Sequence, residues 1–345
     1  MTKSSTIHTV AILASALALS LTINNPAVAV TFDWATIGDV GNAGDNGGSL
    51  GSVDYEFRIS KTEVTNAQYV EFLNAVAATD AYGLYKTDMG STTLGGIVRN
   101  GISGSYTYAV KSDAIGQGPG GSDYGYANKP VNFISWYDAV RFTNWLTSGT
   151  TESGTYAITG GGPNSGSVSV PDHATLGAGK FFLPSKDEWY KAAYYDGTGG
   201  VYYNYATGSD ITPDNNLPSA DSGNSVNYYD LAATHTTGDP NYPLTDVGSY
   251  LLSSSPYGTF DQNGSLWEWT DTVGSTSGSI QGGSWYYHPL GGSSSILDRE
   301  WDTFGFRVAQ SAVPEPSTYA MAGLGLVALG GISLRRRQRQ RKKVN

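Results

Sequence analysis

The C-terminal end of the chain limits how much of the sequence can belong to a fold. Residues 313–316 read Val-Pro-Glu-Pro, an apolar run follows over residues 319–334, and seven Lys and Arg residues lie between 335 and 343. The apolar run is about 16 residues long, close to the length of a helix that crosses a membrane. The basic end belongs on the cytoplasmic side of such a membrane. We therefore predict that residues 313–345 are a tail for transient membrane anchoring, with a permanent anchor as the alternative.

The N-terminal end indicates export as well. Lys3 precedes an apolar stretch over residues 10–21, and residues 27–29 (Ala-Val-Ala) place small side chains at a cleavage site. This order of features is typical of a secretory signal peptide. We predict that residues 1–29 are removed and that the folded domain spans residues 30–312, outside the cytoplasm.

The composition of the body narrows its chemistry. Eight of the 20 cations lie in the two ends but only one of the 30 acids does, so the body carries a net charge of about −17. Such a surface repels nucleic acid and attracts cations such as Ca²⁺. The chain has no Cys, which excludes disulfides, thiol nucleophiles and thiolate metal sites. Its 45 Gly and 24 Tyr residues favour a loop-rich, aromatic-rich domain.

Three segments combine a capping residue with a helical pattern. Thr65, Ser135 and Ser185 can each accept a hydrogen bond from a free N–H in the first turn of a helix. The residues that follow at helical spacing are Tyr69, Phe72, Leu73 and Val76, then Trp136, Ala139, Val140 and Thr143, then Trp189, Ala192 and Ala193. We predict three helices, with short strands between Gly, Asn and Asp breaks. Residues 90–125 and 147–179 are expected to be irregular surface insertions.

Motifs in a fixed order give a resemblance that covers most of the body. They occupy residues 58–66, 130–136, 182–189 and 264–270, the last continuing to 282–285 and 305–307. The ordered set resembles the sulfatase-modifying-factor family, whose founding member is formylglycine-generating enzyme. The resemblance covers residues 53 to 310 and implies a single loop-rich α+β domain of the C-type-lectin-like kind. The C-terminal tail resembles the PEP-CTERM sorting signal, which implies an exosortase-type protease as a partner.

The resemblance also implies a chemistry that this chain has lost. In formylglycine-generating enzyme, two cysteines after the Gly-Gly-Ser-aromatic motif hold the copper ion that activates oxygen. The matching positions here are Tyr287 and Gly292. Since Cu(I) prefers soft thiolate ligands, we do not expect copper or the oxidase reaction. Whether the chain is an enzyme of another kind is left open by the sequence.

The same loop suggests a ligand-binding wall. Its candidate residues are Trp285, Tyr286, Tyr287, His288 and Arg307, since aromatic rings offer flat faces for sugars or peptides. For Arg307 the alternative is a structural bond to loop carbonyls or to an acid. Similarly, Glu63 can pair with a cation instead of acting as a base.

A calcium site is the cofactor that the resemblance implies. Carried over by position, its ligands are the side chains of Asp261 and Glu268 and the carbonyls of Gly264 and Leu266. Hard oxygen ligands of this kind suit Ca²⁺. The alternative is that Asp261 caps a turn and Glu268 makes a structural hydrogen bond. Weaker candidates are Asn227 and Asp239 for a second site, and the Asp- and Asn-containing segment 39–45. His173 and His235 each stand alone in loops by sequence.

Three functions fit these observations. The first is an exported, surface- or matrix-associated protein that binds an exopolysaccharide or a surface peptide without catalysis. The second is an enzyme of the same family with altered active-site chemistry at Tyr286, Tyr287, His288 and Arg307. The third is a structural matrix protein whose acidic body bridges Ca²⁺ and polysaccharide. We favour the first, because the copper-binding positions are lost while the aromatic loop is present.

Overall fold

The computed structural model describes residues 30–229, 234–286 and 291–312. The predicted signal peptide and tail lie outside these ranges, as do Tyr287 and His288 of the expected ligand wall. No helix among the described residues is long and apolar enough to cross a membrane.

The three predicted helices are present, and each begins at the predicted cap. They are α1 (Asn66–Val76), α3 (Trp136–Ser148) and α4 (Lys186–Tyr194), with a short α2 (Asp88–Ser91) between the first two. Thr65, Ser135 and Ser185 each accept from the backbone N–H three residues on. In every case the side chain of that third residue bonds back to the backbone of the cap, which completes a capping box.

The strands form two four-stranded sheets and three hairpins. The first sheet has the order β1-β2-β14-β7 and the second the order β12-β11-β10-β13. The hairpins are β3–β4, β5–β6 and β8–β9. The strands are β1 (Trp34–Ile37), β2 (Phe57–Ser60), β3 (Ile97–Asn100), β4 (Thr107–Val110), β5 (Ala157–Gly162), β6 (Ser165–Ser169), β7 (Phe181–Phe182), β8 (Tyr195–Asp196), β9 (Val201–Tyr202), β10 (Trp267–Val273), β11 (Ser277–Gln281), β12 (Ser293–Ile296), β13 (Phe304–Gly305) and β14 (Ala309–Ser311).

The two long insertions are more ordered than the sequence indicated. Residues 90–125 contain the β3–β4 hairpin and residues 147–179 contain β5–β6. Tyr108 and Tyr156 from these segments are buried in the main core. The expectation of irregular surface decoration was therefore wrong for both, because each insertion contains a hairpin and buries a tyrosine in the main core.

Aromatic packing joins the helices to both sheets. The ring of Phe142 in α3 meets Phe72 of α1 and Phe306 edge to face, with centroids 5.3 and 5.2 Å apart. The indole N–H of Trp136 donates to the carbonyl of Thr270 at 3.0 Å. Trp269 in turn donates to the carbonyl of Ile134 at 2.8 Å. These bonds anchor the start of α3 to β10, so the second sheet cannot shift independently of the helices.

Candidate functional site

The turn after β11 positions two adjacent aromatic residues, the buried Trp285 and the exposed Tyr286. Gly282 and Gly283 both have positive φ, at 96° and 82°. A Cβ on Gly282 would lie 2.9 Å from the carbonyl oxygen of Gln262, so the close approach requires glycine. Beyond the turn, the N–H of Trp285 donates to the carbonyl of Ser265 at 2.8 Å. The tryptophan is thereby held against the loop that leads into β10.

An aromatic cavity opens at this point. Its volume is about 430 Å³, and it is lined by Trp285, Tyr286, Trp301, Asp302 and Thr303. We call this the aromatic cavity. Trp285 forms its floor at 4% exposure, whereas Tyr286 and Trp301 are 49% and 44% exposed. Large exposed aromatic faces on an exported domain are typical of a ligand site, because an exposed ring contributes little to the stability of the fold.

A second aromatic layer backs the cavity. The ring of His235 lies 5.7 Å from Trp285 and 4.6 Å from Tyr229. Tyr229 in turn stacks on Tyr286 at 6.0 Å. His235 was expected to stand alone in a loop, and the structure corrects this, since it packs within an aromatic cluster. The wall is therefore wider than the single loop that the sequence indicated.

Buried polar atoms without partners surround the cavity. Within the described ranges, Nε1 of Trp285, Nδ1 of His235 and Oγ1 of Thr303 are buried and make no hydrogen bond. More than nine in ten buried polar groups in proteins are paired, so three unpaired atoms around one cavity need an explanation. A ligand rich in hydroxyl groups could supply the missing donors and acceptors.

Of the two positions that match the copper-binding cysteines, the structure describes only Gly292. Tyr287 lies outside the described residues. At Gly292, a Cβ would lie 2.7 Å from Oε1 of Gln281. The amide of Gln281 is buried there and donates to Ser279 at 2.6 Å. A glutamine side chain thus occupies the space into which a side chain at position 292 would point.

Arg307 does not join the aromatic cavity. It is fully buried and forms a two-pronged ion pair with Glu268, with N–O distances of 2.6 and 2.7 Å. It also donates to the carbonyls of Ser60, Lys61 and Phe260. All these bonds go to Glu268 or to main-chain carbonyls, as in the structural alternative for Arg307. We call this pair and its partners the charge core.

The residues expected to hold calcium lie beside the charge core. Both oxygens of Glu268 accept from Arg307, and one also accepts from the indole of Trp189 at 2.8 Å. An oxygen of Asp261 accepts from the N–H of Gly248 at 2.6 Å. Burial raises the pKa of Asp261 to about 6, although the bond from Gly248 opposes the rise. Both oxygens of Glu268 are therefore engaged, whereas one oxygen of Asp261 accepts a single bond and Asp261 is the better placed of the two to bind a cation.

A further acid, Glu63, lies within this group. It is 1% exposed, and within the described ranges neither of its oxygens makes a hydrogen bond of normal geometry. Burial raises its pKa well above the usual range, and the charges of Asp261 and Glu268 raise it further. The hydroxyl of Ser265 is close enough to oppose this rise. Three acids therefore share one buried arginine, which leaves the group short of positive charge.

The weaker calcium candidates have structural partners. Asn227 is buried and donates to the carbonyl of Pro243 at 3.0 Å, while Asp239 caps the turn at Asn241 at 2.8 Å. In segment 39–45, carboxylate oxygens of Asp39 and Asp45 accept from Tyr195 and Tyr190. The tyrosines on and after α4 therefore account for the acids of that segment.

His173 is the functional group that sequence reasoning misjudged most. It lies in a buried cluster, with Nδ1 2.9 Å from Glu188. Nε2 lies 2.6 Å from Asp271, as a charge contact rather than a well-directed hydrogen bond. Tyr55 donates to the other oxygen of Glu188 at 2.9 Å. Burial lowers the pKa of His173, but the two carboxylates outweigh it and raise that pKa to about 10.

Trp301, Asp302 and Thr303 are the cavity residues that sequence reasoning missed. They follow the acidic and basic residues 298–300 and precede β13. Main-chain bonds hold them, since Phe133 donates to Trp301 and Asn132 donates to Asp302, at 3.0 Å each. The available signal was a tryptophan, Trp301, directly after the charged residues 298–300. That signal was not enough, because its cavity partners Trp285 and Tyr286 come from the distant turn after β11.

With the fold and cavity described, the class of protein is a loop-rich α+β domain that carries a sorting tail. Residues 50–312 match the Sulfatase-modifying factor enzyme 1-like domain, and residues 312–337 match the PEP-CTERM protein-sorting motif. The chain belongs to the sulfatase-modifying-factor family, and the predicted C-type-lectin-like fold class is confirmed. The tail motif implies export to the cell envelope or surface and recognition by exosortase-type machinery.

Solved structures give a distant likeness in fold. CarF is 20% identical with a TM-score of 0.47, covering 82% of this chain and 99% of its own. Variable protein 1 of Treponema denticola is 17% identical with a TM-score of 0.47, covering 82% and 96%. PvdO from Pseudomonas aeruginosa is 14% identical with a TM-score of 0.40, covering 82% and 92%. A search of the curated proteins finds no match.

Proposed function

We propose that this chain is an exported glycan-binding protein, in which the aromatic cavity takes a sugar ring and no oxidation follows. The observation that carries the proposal is the combination of exposed rings and unpaired polar atoms at one place. Tyr286 and Trp301 offer apolar faces for the C–H face of a sugar. Trp285 and Thr303 place unpaired polar atoms just beneath this surface, and a sugar hydroxyl that displaced the covering side chains would satisfy them.

The lost cysteines support binding over turnover. Gly292 offers no ligand atom, and Gln281 fills the space beside it. A copper ion at this loop would lack the thiolate pair that the family's oxidase chemistry requires. The aromatic residues of the cavity are what a binding role needs. The PEP-CTERM tail is consistent with a site of action among cell-surface polysaccharides.

Retention on polysaccharide tests this proposal. The exported protein, purified from its producer, should be retained by the exopolysaccharide of that producer. Trp301→Ala and Tyr286→Ala should each weaken binding about tenfold or more, since aromatic anchors dominate binding free energy. Ile102→Ala is the control, because Ile102 is also a large, exposed hydrophobic residue but lies in the β3–β4 turn. Equal retention of all four proteins, or turnover of a thiol peptide to an aldehyde, would contradict the proposal.

We propose further that Ca²⁺ binds beside the charge core, with Glu63 in the place first assigned to Glu268. Glu63 and Asp261 would supply the charged ligands, and the carbonyls of Gly264 and Leu266 would complete the set. The support is the pair of unpaired oxygens on a fully buried Glu63. A buried carboxylate without a partner is unfavourable, and a divalent cation would relieve both this and the repulsion from Asp261.

A calcium titration of thermal unfolding tests the site. Calcium at a hundredfold excess over its Kd should stabilise the full chain by about 2.7 kcal/mol. Glu63→Gln should abolish that gain, whereas Glu56→Gln should keep it, because Glu56 is exposed to solvent. An unchanged melting temperature on adding calcium, or full stabilisation of Glu63→Gln, would argue against calcium at this place.

A further inference from the structure

We propose that the aromatic cavity selects uncharged sugar rings over acidic ones, because Asp302 places a carboxylate at its wall. This inference rests on the proposed glycan binding and specifies the class of glycan. Among the five residues that line the cavity, Asp302 is the only one with a charged side chain. The cavity as described therefore presents a negative charge to any ring that stacks on Trp301.

The position of this carboxylate is well defined. The backbone N–H groups of Asp302 and Thr303 bond to it, and the main-chain carbonyl of Asp302 accepts from Asn132 at 3.0 Å. No cation in the described part of the chain forms an ion pair with Asp302. Among the lining residues, its carboxylate therefore has no ion-pair partner.

The other charges nearby do not reverse this sign. Glu300 is paired with Lys86 at 3.2 Å, and Asp298 is exposed. Arg299 lies over the ring of Trp301 at 4.0 Å from its centroid, and it is not among the cavity-lining residues. Its guanidinium covers one face of Trp301 and keeps its positive charge, which offsets only part of the acidic surroundings formed by Asp298, Glu300 and Asp302. The acidic body adds repulsion at longer range.

The chemistry of sugars converts this charge into selectivity. A uronic acid differs from the matching hexose by a carboxylate in place of the C6 hydroxymethyl group. A hexose hydroxyl can donate to Asp302 while its oxygen accepts from the indole of Trp285. A uronate carboxylate can accept from Trp285 but is repelled by Asp302, and like charges brought together at a binding site strongly disfavour a partner.

A matched pair of polymers tests the selectivity. A glucan, a mannan and a galactan are immobilised alongside their C6-oxidised forms, and the Kd of the full-length chain for each is measured. We expect each neutral polymer that binds to be preferred over its oxidised form on the order of tenfold at low salt. In 1 M NaCl, where the Debye length is about 3 Å, the preference should shrink while neutral binding persists.

Two variants separate the role of Asp302 from general effects. Asp302→Asn keeps the shape and a side-chain oxygen but removes the charge, and it should bring the preference close to onefold, chiefly by raising the affinity for the oxidised polymers. Asp298→Asn, an exposed acid four residues earlier, should leave the preference unchanged. Equal wild-type affinity for neutral and oxidised forms, or a preference that survives in Asp302→Asn, would overturn the inference alone. Failure of the wild type to bind any of the six polymers would overturn the proposed glycan binding as well.

Discussion

The charge core and the aromatic cavity are neighbours with opposite character. Ser265 connects them, since its carbonyl accepts from Trp285 of the cavity while its hydroxyl lies near Glu63. At the charge core, Arg307 and Glu268 are fully buried and make bonds with every charged group satisfied. At the cavity, the rings of Tyr286 and Trp301 are exposed, and buried polar atoms of Trp285 and Thr303 have no hydrogen-bond partner among the described residues. Satisfied burial indicates a structural role, whereas unpaired polar atoms beside exposed rings indicate a place for a ligand.

Glu63 is the exception that makes this comparison informative. It belongs to the charge core by position, yet its oxygens are unpaired like the polar atoms of the cavity. Both regions are therefore incomplete in the described chain, but in different ways. The cavity lacks hydrogen-bond partners, whereas the charge core lacks positive charge. The first deficit suits a hydroxyl-rich ligand and the second suits a cation.

Breaking the Arg307–Glu268 pair is the strongest test of this contrast. Arg307→Met should lower the free energy of unfolding by about 3–5 kcal/mol, because it leaves Glu268 buried without its counter-charge. Urea denaturation at neutral pH measures the loss. Lys86→Met is the control, since Lys86 pairs with Glu300 while 40% exposed, and such pairs contribute about 0–1 kcal/mol. Similar losses of unfolding free energy for both variants would show that the Arg307–Glu268 pair stabilises the fold no more than an exposed ion pair does.

The His173 cluster extends the comparison to a second satisfied site. The folded-state pKa of His173 is raised to about 10 from an ordinary value of 6.5. Its stabilising contribution is therefore complete below pH 6.5 and is lost as pH rises towards 10. The shift corresponds to at most about 5 kcal/mol, since each pKa unit is about 1.36 kcal/mol.

His173→Gln isolates that contribution. The difference in unfolding free energy between the wild type and this variant should shrink steadily between pH 6.5 and 9.5, as followed by urea denaturation. The subtraction is needed because the buried tyrosines begin to titrate in the unfolded chain near pH 10. A difference that stays constant over this range would mean that His173 contributes by packing and not by charge.

The sequence predicted local structure better than it predicted the sites. Thr65, Ser135 and Ser185 were identifiable because a cap and its bonding partner lie three residues apart. His173 was not, because its partners lie on α4 and β10, and only the fold brings them together. Trp301 was missed for the same reason. It precedes β13, whereas Trp285 and Tyr286 follow β11, and only the fold brings these segments to one cavity.

Residues placed by the family resemblance were partly regrouped by the structure. Trp285 and Tyr286 line a cavity together, as the loop motif led us to expect. Arg307 does not line it. A fully buried guanidinium requires a counter-charge, and Arg307 pairs with the carboxylate of Glu268 instead of facing a ligand. Residues within one continuous motif, such as Trp285 and Tyr286, lie together in the structure. Arg307 belongs to a different motif, and the sequence could not show that it lies in the core and not at the cavity.

The smallest expected effect gives the sharpest contrast between paired and unpaired polar groups. Thr303→Val removes a buried hydroxyl that has no partner in the described chain, with almost no change in shape. Unfolding free energy should rise by about 1 kcal/mol, because an unsatisfied buried group no longer has to be desolvated. Glycan affinity should fall about threefold to tenfold if that hydroxyl bonds a sugar.

Thr270→Val is the matched control, in strand β10, which pairs with β13 just after Thr303. Thr270 is also buried, but its hydroxyl donates to the carbonyl of Ser279 at 3.2 Å. Its replacement should lower the unfolding free energy by about 1 kcal/mol and leave glycan affinity unchanged. The opposite signs of the two stability changes are the diagnostic result. If Thr303→Val destabilises the protein as much as Thr270→Val does, the hydroxyl of Thr303 has a structural partner, and one of the polar atoms assigned to ligand binding is lost.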